Sequence, residues 1–315
     1  MEFRTQIPIQ KQKDNLINYH SNIMLLGSCF SENIGCKFEY YKFKNTVNPF
    51  GILFHPKAIE VFLERVVNQR IYLEDDLVFQ NEQYHCFDSH SSLSNSNKNV
   101  LLNDLNEILK TVYLEIIQSS HLIITLGTAW VYKYIEQNKV VANCHKLPQK
   151  EFAKQLLSVS EITNSLKNIE VLVRKLNSSV KIIYTVSPVR HLKDGFIENQ
   201  QSKSNLLSAI HVYLLKSKSS YFPSYEIMMD DLRDYRFYKT DMLHPNQVAI
   251  DYIWEQFQKG WFLDNTKPIM KKVTTIQKGM AHKPFNISSE AHISFLNKLE
   301  HKKEELLKDY PNMIF

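Results

Sequence analysis

Three short apolar runs limit what this chain can fold into: "NIMLLGS" (22–28), "HLIITLGT" (121–128) and "VKIIYTVSP" (180–188). Each is apolar at successive rather than alternate positions, so neither face suits water. Strands of that kind are covered on both sides, as in a parallel sheet between helices. Helical patterns fill the intervals. "HPKAIEVFLERVVNQ" (55–69) opens with an early proline, "LLNDLNEILKTVYLEIIQSS" (101–120) repeats apolar residues at helical spacing, and "SEITNSLKNIEVLVRKLNSS" (160–179) opens on a plausible cap. "SKSNLLSAIHVYLLKSK" (202–218) and "PNQVAIDYIWEQFQKGWF" (245–262) follow. Strands alternating with helices predict βαβ units and an α/β fold. A fourth apolar run, "SYEIMMDDL" (224–232), is shorter on β-branched residues.

Two segments depart from the alternation. "TAWVYKYIEQNKVVANCHKLP" (128–148) alternates aromatic and polar residues around "EQNK" and reads as an inserted β-hairpin. The chain from 263 to 315 reads as a C-terminal extension, irregular and basic at first and then helical over 288–310, beside a main domain of residues 1–262. The polar stretch 89–99 reads as a surface loop.

Composition narrows the function classes. Hydrophobic residues make up 43% of the 315, enough for a sizeable core. The net charge of +5 is scattered, with neither a basic stripe nor a recognition motif, so no nucleic-acid partner is expected. Four cysteines, Cys29, Cys36, Cys86 and Cys144, are too few for a disulfide scaffold and include no CxxC pair. No metal-ligand spacing occurs, and neither metal nor cofactor is expected. The absence of an apolar leader or an 18-residue apolar run predicts no membrane span and a cytoplasmic location.

Ligands of open α/β sheets sit at the carboxyl ends of the strands. Gly27, Ser28 and Cys29 follow the first run, Gly127 and Thr128 the second, and Ser187 to His191 the third. "YKTDMLHPN" carries Asp241 and His244 just before the helix that ends the main domain. Three residues apart in a turn, that carboxylate can orient the imidazole and stabilise its cation. A nucleophile candidate, a base, a carboxylate and an arginine therefore converge on one rim.

At these residues the chain resembles a known family. "GSCFSENIG" (27–35) looks like the signature of the GSCFA family, whose fold is similar to the SGNH (GDSL-like) hydrolases. "NPFGILFHP" (48–56), "DSHSSLS" (88–94), "LGTAWVY" (126–132), "NCHKLP" (143–148), "TVSPVRH" (185–191) and "DMLHPN" (241–246) carry the same resemblance. It implies a three-layer α/β/α domain with a flavodoxin-like parallel sheet and an ester-active site, either a hydrolase or an acyltransferase. Its partner is then a small-molecule or glycan acyl ester. By position the nucleophile is Cys29, and a one-residue shift makes it Ser28; His244 is the base and Asp241 its orienting carboxylate. The oxyanion donors implied are the N–H groups of Cys29 and Gly51. The usual third-block asparagine is absent, leaving Thr128 or Asn143 to replace it. Arg190 and His191 read as a substrate clamp. His145, Lys146, Trp130, Asn48 and His90 are further candidates for lining the cleft. A competing reading is a non-catalytic module that keeps the pocket but not the chemistry.

Overall fold

The structure, a computed structural model, describes residues 5–315. Its centre is a sheet of five parallel strands: β1 (Asn22–Gly27), β2 (Lys44–Val47), β5 (His121–Leu126), β9 (Lys181–Val186) and β10 (Ser220–Phe222). Their spatial order is β10-β9-β5-β1-β2. Counting only these five along the chain gives 2-1-3-4-5, the flavodoxin-like order. In that order the direction of winding reverses between β1 and β5, which is where such sheets bind ligands. Gly27 pairs with Thr125 across that junction.

Period-two geometry divides the apolar runs between two cores. Met24, Leu26, Leu122, Ile124, Ile182 and Tyr184 face one side, under α2 (Pro56–Val67), α3 (Lys98–Gln118), α4 (Val159–Leu176) and α5 (Phe196–Leu214). Ile23, Leu25, Ile123 and Ile183 face the other, under α1 (Cys29–Tyr40) and α7 (Gln247–Trp261). This burial on both sides is why the runs carry no alternation.

The predicted hairpin is present as β6 (Trp130–Tyr134) and β7 (Lys139–Val141), and β8 (Phe152–Leu156) adds a third strand to it. His55 fastens this sheet to the main domain. Its Nδ1 caps α2 by accepting from Ala58 N–H at 3.0 Å, and its Nε2 donates to Val141 O at 3.0 Å. A separate hairpin, β3 (Leu77–Gln80) with β4 (Gln83–Cys86), precedes α3.

The fourth apolar run lies just after β10, and 224–231 forms a helical turn, α6 (Ser224–Glu226), followed by a π-helical turn. The structure departs from sequence expectation in one element. The segment expected to be irregular after 262 forms a helix, α8 (Thr266–Met280), ahead of α9 (Glu290–Asp309). Met270, Val273 and Ile276 make its apolar stripe, obscured in the sequence by the lysines and threonines around them. With Leu299 and Leu306 of α9 they enter the core shared by α1 and α7, so the extension is part of that core. Among the described residues no helix is long and apolar enough to cross a membrane.

Candidate active site

Gly27 ends β1 with φ at +133°, and a Cβ there would lie 2.1 Å from Thr125 O, so no other residue fits the bend. Its N–H donates to Asn48 Oδ1 at 2.9 Å, and the next N–H, of Ser28, donates to Thr125 O at 3.0 Å. Helix α1 begins at once. Ser28 is its N-cap, with Oγ accepting from Phe30 N–H at 3.3 Å, and is only 1% exposed. Ser31 Oγ donates to Leu26 O at 3.2 Å. Cys29 alone of the three is partly exposed, at the first helical position. The hydroxyl of Ser28 is thus committed to capping.

Burial pushes the Cys29 thiol above its ordinary 9.0, and Glu32 adds to this; Lys203, the residue's own N–H and Lys239 pull the other way. A helix N-terminus ordinarily depresses a thiol, but here desolvation outweighs it.

The Asp241–His244 pair forms as the D-x-x-H spacing suggests. Asp241 Oδ1 accepts from the N–H groups of Leu243 (2.8 Å) and His244 (3.0 Å), and Oδ2 accepts from His244 Nδ1 at 2.7 Å. Those bonds hold the Asp241 carboxyl down at about 2. With Nδ1 as donor, Nε2 is left as the basic nitrogen. The loop is pinned by Arg190 N–H on Leu243 O (3.2 Å) and Lys239 N–H on His244 O (2.7 Å). Among the described residues no hydrogen bond links His244 to Cys29 or Ser28.

The expected oxyanion donors are mostly engaged elsewhere. Gly51 N–H donates to Asn48 O at 2.7 Å, closing its own turn. Thr128 Oγ1 pairs with Ser202 Oγ at 2.9 Å and accepts from Trp130 N–H at 3.0 Å. Asn143 Oδ1 accepts from His145 N–H at 2.9 Å in an Asx turn. By contrast Asn48, held by its Oδ1 against the end of β1, has a buried Nδ2 without a partner among the described residues.

The residues expected to line the cleft fall into two groups. His191 reaches the site: its Nε2 lies 3.0 Å from where a Gly127 Cβ would be, and its ring stacks near Phe54. Burial, then the charges of Lys203 and His244, push it down to about 3. Arg190 lies against Tyr238, 4.4 Å from the ring centroid, and Tyr235, in a small pocket of about 140 Å³ that also includes Met228, Met229 and Leu232. His90 packs beside Gly51. His145 instead turns inward, donating from Nε2 to Cys86 O at 2.7 Å and stacking on His85. Lys146 is exposed, and Trp130 donates to Glu198 O at 3.1 Å, bracing the start of α5. A cleft of about 740 Å³ lies at the amino ends of β1 and β2, lined by Asn22 and Lys44, at the opposite end of the sheet from this chemistry.

One group went unforeseen. Lys203 of α5 is fully buried, with Nζ donating to Gly127 O at 2.8 Å and Ser187 O at 2.7 Å. Its signal was present in helical register: Asn199, Ser202, Lys203, Leu206, Ile210 and Tyr213 form the buried stripe of α5, and lysine holds a place in it.

The molecule is thus a three-layer α/β protein of flavodoxin-like strand order, with a cysteine turn at its switch point and an oriented histidine on a neighbouring loop. The model of the GSCFA family matches residues 22–257, and that of the GSCFA domain protein, C-terminal domain, matches 273–315. The chain belongs to the GSCFA family. No curated protein matches it. Among solved structures, a carbohydrate esterase family 3 from Talaromyces cellulolyticus aligns over 81% of this chain and 99% of its own, at 8% identity and a TM-score of 0.36.

Proposed function

We propose that this GSCFA protein is an ester-active enzyme of SGNH type, a hydrolase or acyltransferase, with Cys29 as nucleophile. His244 Nε2 takes the thiol proton as sulfur attacks the acyl carbonyl, and Asp241 stabilises the resulting imidazolium. Collapse of the tetrahedral adduct leaves an acyl thioester on Cys29 and returns the proton to the departing alcohol. Water or a second hydroxyl then takes the acyl group by the reverse steps. The N–H of Cys29 and Nδ2 of Asn48 serve as oxyanion donors, the latter in place of the missing asparagine. The single observation that carries this reading is the 2.7 Å bond from His244 Nδ1 to Asp241, which sets up a basic Nε2 on the loop beside the strand ends.

Arg190 gives the neighbouring pocket a cation beside the apolar Met228, Met229 and Leu232, with Arg233 and Asp234 also on its wall. Such a pocket suits an acyl ester that also carries a carboxylate or phosphate. An acylated carbohydrate of the cell envelope has that character, an assignment that rests on analogy of fold.

A second reading, a non-catalytic module for an acyl or glycan ligand, is favoured by the engagement of Gly51 N–H and the Thr128 hydroxyl. Turnover of acetyl esters by wild type, Cys29→Ala, Ser28→Ala and His244→Ala separates the two. The enzyme reading requires turnover that Cys29→Ala and His244→Ala abolish and Ser28→Ala retains. Binding of acetylated oligosaccharide without turnover establishes the module.

A further inference from the structure

Lys203 poses a physical problem. A charged ammonium taken wholly out of water costs several kcal/mol unless it is compensated. Here its hydrogen bonds go to two neutral carbonyls, Gly127 O and Ser187 O, and no carboxylate forms an ion pair with it among the described residues. Burial pulls its pKa down to about 7, and Cys29 acts in the other direction. A lysine whose task was only to tie strand ends together could be replaced by a neutral donor, without the desolvation.

The placement explains the charge. Gly127 O and Ser187 O follow β5 and β9, the two strands that continue the sheet from β1, so the ammonium sits beneath the rim on which Cys29 stands. Neighbouring Ser202 binds the same turn, donating to Thr128 Oγ1 or accepting from it, and accepting from Ala129 N–H at 2.7 Å. Two successive residues of α5 therefore lock Nζ in position.

We propose that Lys203 is a positioning residue for Cys29: its clamped ammonium is the buried positive charge that offsets the burial of the thiol and favours its thiolate. This rests on Cys29 as the reactive thiol. The other groups around the pair are Glu32 of α1, which opposes thiolate formation, Lys239 and His244 from the loop before α7, His191 after β9, and the Tyr225 ring 5.6 Å from Nζ. Lys239 favours the thiolate, but from an exposed position where solvent screens it. His191 is kept neutral by burial. Lys203 is therefore the cation on which the ionisation of Cys29 depends most.

The test is the pH dependence of Cys29 alkylation by iodoacetamide, resolved by peptide mass spectrometry so that exposed Cys36 serves as an internal reference. In Lys203→Gln, a donor without charge, alkylation of Cys29 at pH 7 should fall about tenfold or more and its midpoint should rise by at least one pH unit. Cys36 should be unaffected, and Lys203→Arg should restore much of the loss. An unchanged Cys29 midpoint in folded Lys203→Gln, with only a lower Tm, overturns the proposal. If the variant does not fold, the wild-type profile decides. A coupled pair gives Cys29 an inflection near pH 7 as well as its own at higher pH, and a single inflection overturns the proposal. No substrate enters this measurement, so failure of the ester assay leaves it intact, and a shifted midpoint does not by itself establish turnover.

Discussion

Asp241 grips His244 at two points: one carboxylate oxygen accepts the ring Nδ1–H at 2.7 Å, and the other accepts the backbone N–H of the same residue at 3.0 Å. The second contact fixes where the carboxylate sits, so the first fixes the tautomer. Asp241→Asn preserves the size of the side chain but lets its amide donate toward Nδ1. Ester turnover should fall on the order of 10²–10⁴-fold with little change in Tm, because the pair is exposed. Steady-state kinetics with an acetyl ester, beside a melting curve, checks both halves.

Ser28 and Cys29 should separate by readout. Removing the Ser28 hydroxyl costs α1 its N-cap, about 1 kcal/mol, measurable in urea unfolding. Turnover should survive. A Ser28→Ala enzyme that is stable and inactive would transfer the nucleophile role to the serine.

Gly27→Ala places a methyl 2.1 Å from Thr125 O at a φ of +133°. The backbone of two central strands must move to accept it. Destabilisation of about 3 kcal/mol or more is expected, with loss of soluble protein as the first sign.

Acid should unfold the protein through buried histidines. His55, His121 and His145 are each held neutral by burial and lowered from 6.5 to about 4. Between those values the unfolded chain binds more protons than the folded one, so stability rises with pH. The contribution is complete above about pH 6.5 and is lost as pH falls toward 4. Each site accounts for up to about 3 kcal/mol. Tm measured from pH 7.5 to 4 should drop steeply below 6.5, and a flat profile contradicts the assignment.

Leu306→Ala tests whether the extension belongs to the main core. Leu306 is 2% exposed and packs in the same cluster as Phe38 and Trp254. A loss of about 2–5 kcal/mol in one cooperative transition is expected. A separate early transition would mark the extension as an independent unit.

What could be read in advance follows from where the physics is local. β1, β5 and β9 announced themselves because each is buried on both faces over six residues. β2 and β10, four and three residues of mixed character at the sheet edges, did not. The Asp241–His244 contact was legible because a carboxylate three residues before an imidazole, in a turn entering a helix, can reach back to it. The state of Gly51, Thr128 and Asn143 was not, because each depends on which nearby group claims its polar atoms in the folded turn. Lys203 was hidden because a lysine on a helix is ordinarily solvated, and only the register of α5 argues otherwise.

The shared core of α1, α7, α8 and α9 has a consequence for the order of synthesis. Cys29 leaves the ribosome early, whereas His244 follows 215 residues later (244 minus 29), and the helices that complete the cover over Ile23, Leu25, Ile123 and Ile183 emerge last. At about 5–20 residues per second the interval lasts roughly 10–40 s. Late in that interval, once β5 and β9 are made, the nascent chain presents an apolar sheet face that α7, α8 and α9 have yet to cover. His244 emerges just ahead of α7, so the thiol meets its histidine only as that cover is being laid.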